Sequence, residues 1–138
     1  MARRQARQQA VRWLYEQDVG GTELDALVAR AVPGLRPEDV RFAEELIRGV
    51  DAHREELDAW LGHLSHDWRV ERMAAVDRAV LRLGLYELRY AREVPAPVVL
   101  SEAVELAGIF STPEAKRFVN GVLSQASRDV QDVVADPP

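Results

Sequence analysis

Apolar residues recur at intervals of three and four along nearly all of this 138-residue chain, and strand-like alternation of apolar and polar residues is scarce. That period admits helices packed on helices, so the fold class expected is all-α. A first helix is predicted from about Arg3 to Asp18, stopped by Gly20-Gly21. A second starts at Thr22, whose hydroxyl caps it with Asp25 three residues on, and ends before Pro33-Gly34. Pro37 suits the first position of a third helix. Its stripe Ala43, Leu46, Ile47, Val50, Leu57, Trp60, Leu61, Leu64 keeps the helical period across Gly49, and the Ser65-His66-Asp67 cluster ends or bends it.

From Val70 to Tyr90 the apolar residues surround more than one face, which predicts a central rod buried between other helices. Pro95 and Pro97 bracket a turn before the stripe Leu100, Ala103, Val104, Ala107, Phe110. Thr112-Pro113 is a cap and first-position pair for a last helix through Phe118, Val119, Val122 and Ala126. Asn120-Gly121 has the composition of a hairpin turn, but the helical stripe is unbroken on both sides of it. The expectation is a compact bundle of about seven helices in one domain spanning 1–138. Its sub-bundles are about 1–66 and 67–130, and 131–138 is a frayed tail.

Composition narrows the chemistry. With no cysteine, disulfides, thiol nucleophiles, Cys-ligated zinc and iron–sulfur clusters are excluded. No apolar run approaches the ~20 residues of a membrane span, so a soluble protein without membrane contact is expected. The net charge of -5 speaks against a general nucleic-acid coat protein. Its distribution is uneven, because residues 1 to 13 carry Arg3, Arg4, Arg7 and Arg12 and no acid, while acids dominate from Glu23 to Asp67. Every basic residue except Lys116 is arginine, a bias that either genome composition or phosphate recognition explains.

No constellation owns a reaction. His63, His66 and Asp67 have metal-ligand spacing on a continuous helix, yet they fall where the helix ends and no fourth ligand is near in sequence. No metal site is therefore expected. Glu44-Glu45 and Glu55-Glu56 are adjacent pairs about 100° apart on a helix and cannot share a proton across a substrate. Glycine-rich phosphate loops, nucleophile elbows and dinucleotide fingerprints are missing. No catalytic residue and no cofactor are expected.

The first helix shows two faces. Ala6, Ala10, Trp13, Leu14 and Gln17 line one, and Arg4, Gln8, Val11 and Tyr15 another. Arginine engages phosphate with two parallel bonds, glutamine meets a base edge, and tyrosine offers a stacking plane. Three readings fit this helix: an RNA or phosphate site, a solvated arginine face, and a basic amphipathic presequence. The last helix repeats the theme, with Lys116 and Asn120 on one side, Arg117 beside them, and Phe118 at the edge of the apolar stripe as core or as stacking surface.

Several segments go further. They are Arg3-Arg4-Gln5-Ala6-Arg7 through Leu14-Tyr15, Phe42 through Val50, and Val76-Asp77-Arg78-Ala79-Val80-Leu81-Arg82-Leu83 through Leu88. Val94-Pro95, Glu102 through Ala107 and Phe118-Val119-Asn120-Gly121-Val122-Leu123 complete the set. Together, over residues 2 to 126, they resemble the bacterial transcription antitermination factors of the NusB family.

The resemblance implies an all-helical, cytoplasmic RNA-binding regulator without catalytic activity. It implies pairing with the ribosomal protein NusE, binding of single-stranded boxA RNA, and assembly with NusA, NusG and RNA polymerase, chiefly on ribosomal RNA operons. The RNA residues it implies are Arg3, Arg4, Arg7, Lys116, Arg117, Phe118 and Asn120, to which the helical wheel adds Gln8 and Tyr15. Tyr15 and Asp77 match positions near the RNA and NusE surfaces. Gln5 and Ser101 depart from the family pattern, weakening local charge and a cap. A ribosomal RNA methyltransferase carries a similar helical domain, but no cofactor-binding segment follows Pro138 here, so the regulator is the expectation. Some family members self-associate, so a homodimer is a further possibility.

Overall fold

The computed structural model describes residues 3–66 and 68–135, with side chains to residue 130. Seven helices follow one another: α1 (Arg4–Gly20), α2 (Leu24–Val28), α3 (Pro37–Ala52), α4 (Arg54–Leu64), α5 (Ala75–Tyr90), α6 (Ala96–Phe110) and α7 (Pro113–Ala135). A single 3₁₀ turn, Val70–Arg72, precedes α5, and no strand occurs among the described residues. The all-α expectation holds. One continuous buried cluster takes apolar residues from all seven helices.

Helix α5 is the central rod. Every residue from Ala79 to Leu85 is buried, and the helix packs against α1, α3, α4, α6 and α7. Such a helix carries apolar residues on more than one face along its middle, where Arg82 is the one charged residue between Ala79 and Leu85. Close packing there needs Gly84, where a Cβ would lie 2.7 Å from Leu123 Cδ1 on α7. Gly84→Ala is expected to cost about 1–3 kcal/mol by overpacking, read as a lowered midpoint of chemical denaturation with unchanged helical content.

Several local readings change: the rod expected from Val70 starts at Ala75, after the 3₁₀ turn, and Pro97, expected in a turn, is the second residue of α6. Thr22 does not cap α2, which is a five-residue helix entered through Glu23 without a side-chain cap. The chain first leaves α1 through Gly21 at φ 70°, whose N–H closes on the Gln17 carbonyl, and this places Thr22 in the extended connection.

The single helix predicted from Pro37 to the Ser65 region is two. His53, at φ -113° and ψ 17°, breaks it into α3 and α4. A straight helix from 37 to 64 would be about 42 Å long and would overrun α5, which itself has 16 residues. The corner is held by aromatic contacts. His53 stacks on Tyr90 at 4.1 Å, Tyr90 donates its hydroxyl to Glu56 at 2.6 Å, and Tyr86 fills the space over Gly49.

At the other end, α7 is helical through Ala135, past the Val130 limit set by composition. Residues 136–138 of the expected tail lie outside the described residues. Thr112 caps α7 as anticipated, accepting the Ala115 N–H at 3.1 Å. Val119, Val122 and Ala126 are buried beneath it.

Candidate nucleic-acid interface

Many arginines pair with carboxylates of the same chain, and Arg78 and Arg82 do so largely buried. Arg78 donates to Asp18 at 2.7 and 2.9 Å and also to the carbonyls of Val70 and Met73. Arg82 grips Asp58 with two bonds of 2.7 and 2.8 Å. These side chains hold the 3₁₀ turn and α4 against α5, and they are not available to a ligand. The arginine bias is in large part structural.

Arg7 belongs with them. Its guanidinium is 3% exposed and meets Glu87 of α5, itself 2% exposed, through parallel bonds of 2.9 and 2.7 Å. The expectation that Arg7 reaches solvent and RNA is therefore corrected: α1 turns this residue into the core, because position 7 shares the inward face with Ala6, Ala10 and Leu14. Arg4 is intermediate in role. It is half-exposed, yet it holds buried Glu102 of α6 through bonds of 3.2 and 3.0 Å, and this pairing raises the Arg4 pKa above its ordinary value. Charge reversal at Arg4 would thus set two carboxylates together and disturb the fold.

The cations left without an ion-pair partner among the described residues include Arg3, Arg12, Lys116 and Arg117. Arg3 takes a left-handed backbone, φ 53°, and lays its guanidinium on the Phe42 ring at 4.4 Å. Arg12, missing from the sequence-based set, lies over the Phe110 ring of α6 at 5.3 Å. On α7, Lys116, Arg117 and Asn120 are all exposed, and the Lys116 stem passes Gly108 of α6, within 3.3 Å of where a Cβ would sit.

Helix α6 thereby gathers both basic segments. Glu102 receives Arg4, while Phe110 and Gly108 receive Arg12 and Lys116 at the helix's C-terminal end. Arg4, Gln8 and Arg12 follow one another at i, i+4, i+8 along the same side of α1. Val11, assigned to this face by the wheel, is buried, and Arg12 takes its place.

Aromatic groups border the cations. Phe118 is half-buried on α7 and meets the Trp68 ring edge-on at 6.5 Å. Tyr15 is 43% exposed and lines a cleft of about 480 Å³ with Val11, Arg12, Val76 and Phe110. Asp77 stands in the first turn of α5, beside Val76, with Oδ1 buried and lacking a hydrogen-bond partner. Tyr15 and Asp77 thus border neighbouring clefts rather than sharing one.

The metal alternative is not assembled. Helix α4 ends at Leu64 and His66 turns left-handed at φ 42°, so His63 and His66 are not on one helical face. Asp67 lies outside the described residues.

Unpaired cations and an aromatic ring gathered at the C-terminal end of α6, with Arg3 apart on Phe42 of α3, describe a surface suited to binding an anion. Comparison with known proteins then narrows it. The NusB family matches residues 4–128. The transcription antitermination protein NusB of Rubrobacter xylanophilus is 46% identical, over 99% of this chain and 97% of its own length. That of Symbiobacterium thermophilum is 43% identical, over 95% and 92%. Among solved structures, antitermination factors NusB and NusE in complex with dsRNA include a chain that superimposes with a TM-score of 0.84 at 27% identity, covering 93% of this chain and 97% of that one. The chain belongs to the NusB family. It is a transcription antitermination factor and not an enzyme.

Proposed function

We propose that this protein binds single-stranded boxA RNA jointly with the ribosomal protein NusE. With NusA, NusG and RNA polymerase it assembles antitermination complexes, chiefly on ribosomal RNA operons in the cytoplasm. The observation that carries the reading is the exposed row Lys116, Arg117 and Asn120 beside Phe118, free of internal ion pairs among the described residues and joined through α6 to Arg4 and Arg12. Cations neutralise phosphates, and an aromatic ring stacks on an unpaired base. Gln8 and Arg3 extend the basic track along α1, and Arg7 supports it from beneath.

The partner's seat in this reading is the apolar cleft at Tyr15. Val76 and Phe110 line it, and Asp77, the next residue after Val76, lines the neighbouring cleft. A half-exposed tyrosine over an apolar cleft is the kind of anchor that protein interfaces use. A solved relative crystallised with NusE and dsRNA supports both partners.

Sizing by light scattering tests the pairing. Purified NusE mixed with this protein is expected to give a 1:1 complex, lost on Tyr15→Asp. If this protein elutes as a homodimer that NusE does not open, the proposed heterodimer is wrong.

A further inference from the structure

Arg3 is held by an aromatic ring and not by a carboxylate. Its backbone is left-handed, φ 53° and ψ 43°, a conformation that costs energy for any residue but glycine. Its guanidinium lies 4.4 Å from the centre of the Phe42 ring on α3. The same ring lies 5.5 Å from the guanidinium of Arg7, whose Nε and Nη2 are taken by buried Glu87 and whose Nη1 has no hydrogen-bond partner. A chain of contacts thus runs from the core to the surface. Glu87 fixes Arg7, Arg7 packs on the ring, and the ring carries Arg3.

Around this ring opens a cleft of about 650 Å³, lined also by Glu45 of α3 and by Glu93, Val94 and Pro95 of the connection between α5 and α6. Both glutamates are exposed, and neither forms an ion pair among the described residues. An exposed arginine in a cleft with two carboxylates is drawn to them, because its stem is long and opposite charges attract over this range. Pairing there would neutralise the charge that a phosphate requires. A ring face competes for the guanidinium without neutralising it, since the attraction comes from the quadrupole of the ring.

We propose that Phe42 is a positioning residue of the RNA site: it holds Arg3 off Glu45 and Glu93, so that Arg3 meets an RNA phosphate as a free cation. The inference rests on the RNA-binding reading and adds to it a residue that acts through Arg3 without touching RNA. Phe42 also packs against the core, so its test must separate positioning from packing.

Affinity of the complex with NusE for boxA RNA, measured at several salt concentrations, makes that separation. Phe42→Leu is expected to lower affinity about fivefold and to flatten the dependence of log affinity on log salt by about 0.7, as Arg3→Gln does, because each loses one phosphate contact. The two changes together are expected to lose no more than either alone. Phe42→Tyr keeps the ring face and should keep both affinity and slope. Adding Glu45→Gln and Glu93→Gln to Phe42→Leu should restore the wild-type slope, whereas the same two changes in the wild type should leave it unaltered. In the free wild-type protein, the ring should shift the Arg3 side-chain protons upfield in the nuclear magnetic resonance spectrum. Unshifted protons overturn the proposal without any substitution. A lowered affinity with an unchanged slope, or a loss that removal of the two carboxylates does not restore, assigns the ring to packing alone and overturns it while the RNA-binding reading stands. A wild-type complex that binds no RNA removes that reading and the proposal with it.

Discussion

Arg7→Ala is expected to destabilise the protein by about 3–5 kcal/mol, because it leaves Glu87 buried and unpaired in the centre of the bundle. In a domain of this size that lowers the melting temperature by roughly 10–15 °C. The effect is a property of the stranded charge, not of lost volume alone. A double replacement, Arg7→Met with Glu87→Leu, removes both charges and is expected to recover most of the loss. Thermal denaturation of the three proteins decides it. A single variant melting within about 1 °C of wild type would show that the pair is not buried as described. RNA binding measured below the variant's melting range should stay near the wild-type value and fall only as the fold is lost, which separates Arg7 from true ligand contacts.

The opposite pattern is expected on α7. Lys116→Glu with Arg117→Glu changes two exposed side chains that have no ion pair among the described residues, so stability should move by less than about 0.5 kcal/mol. Affinity for boxA RNA should fall by at least tenfold, since two charge-assisted contacts are replaced by repulsion. The dependence of log affinity on log salt should flatten by about 1.4, two phosphates at ~0.7 each for a single strand. An unchanged salt dependence would show that phosphates do not lie on this face.

What could be read from sequence differed by scale. Periodicity reports local faces, so α1, α5 and α7 and the Thr112 cap were legible from spacing and cap chemistry. The break at His53 was not, because it answers to the Tyr86 ring over Gly49, a contact between helices distant in sequence. The site shows the same division. Lys116, Arg117 and Asn120 are exposed, Lys116 and Asn120 on the shared side of α7 that the wheel gave them and Arg117 beside them. Arg7 and Arg12 look alike in an acid-poor stretch, and what separates them is Glu87, 80 residues away, which draws one into the core.

The central claim is that RNA binds a composite surface made by this protein and NusE. Titrating labelled boxA RNA with this protein, with NusE, and with both, at several salt concentrations, tests it most directly. Four exposed unpaired cations, Arg3, Arg12, Lys116 and Arg117, predict a salt exponent near -3 for this chain's share, a loss of about 50-fold between 50 and 200 mM. The pair should bind far more tightly than either protein alone, and boxA RNA should tighten the pair by the same factor. Equal affinity for this protein alone and for the pair, or equal competition by a scrambled RNA, would contradict the account.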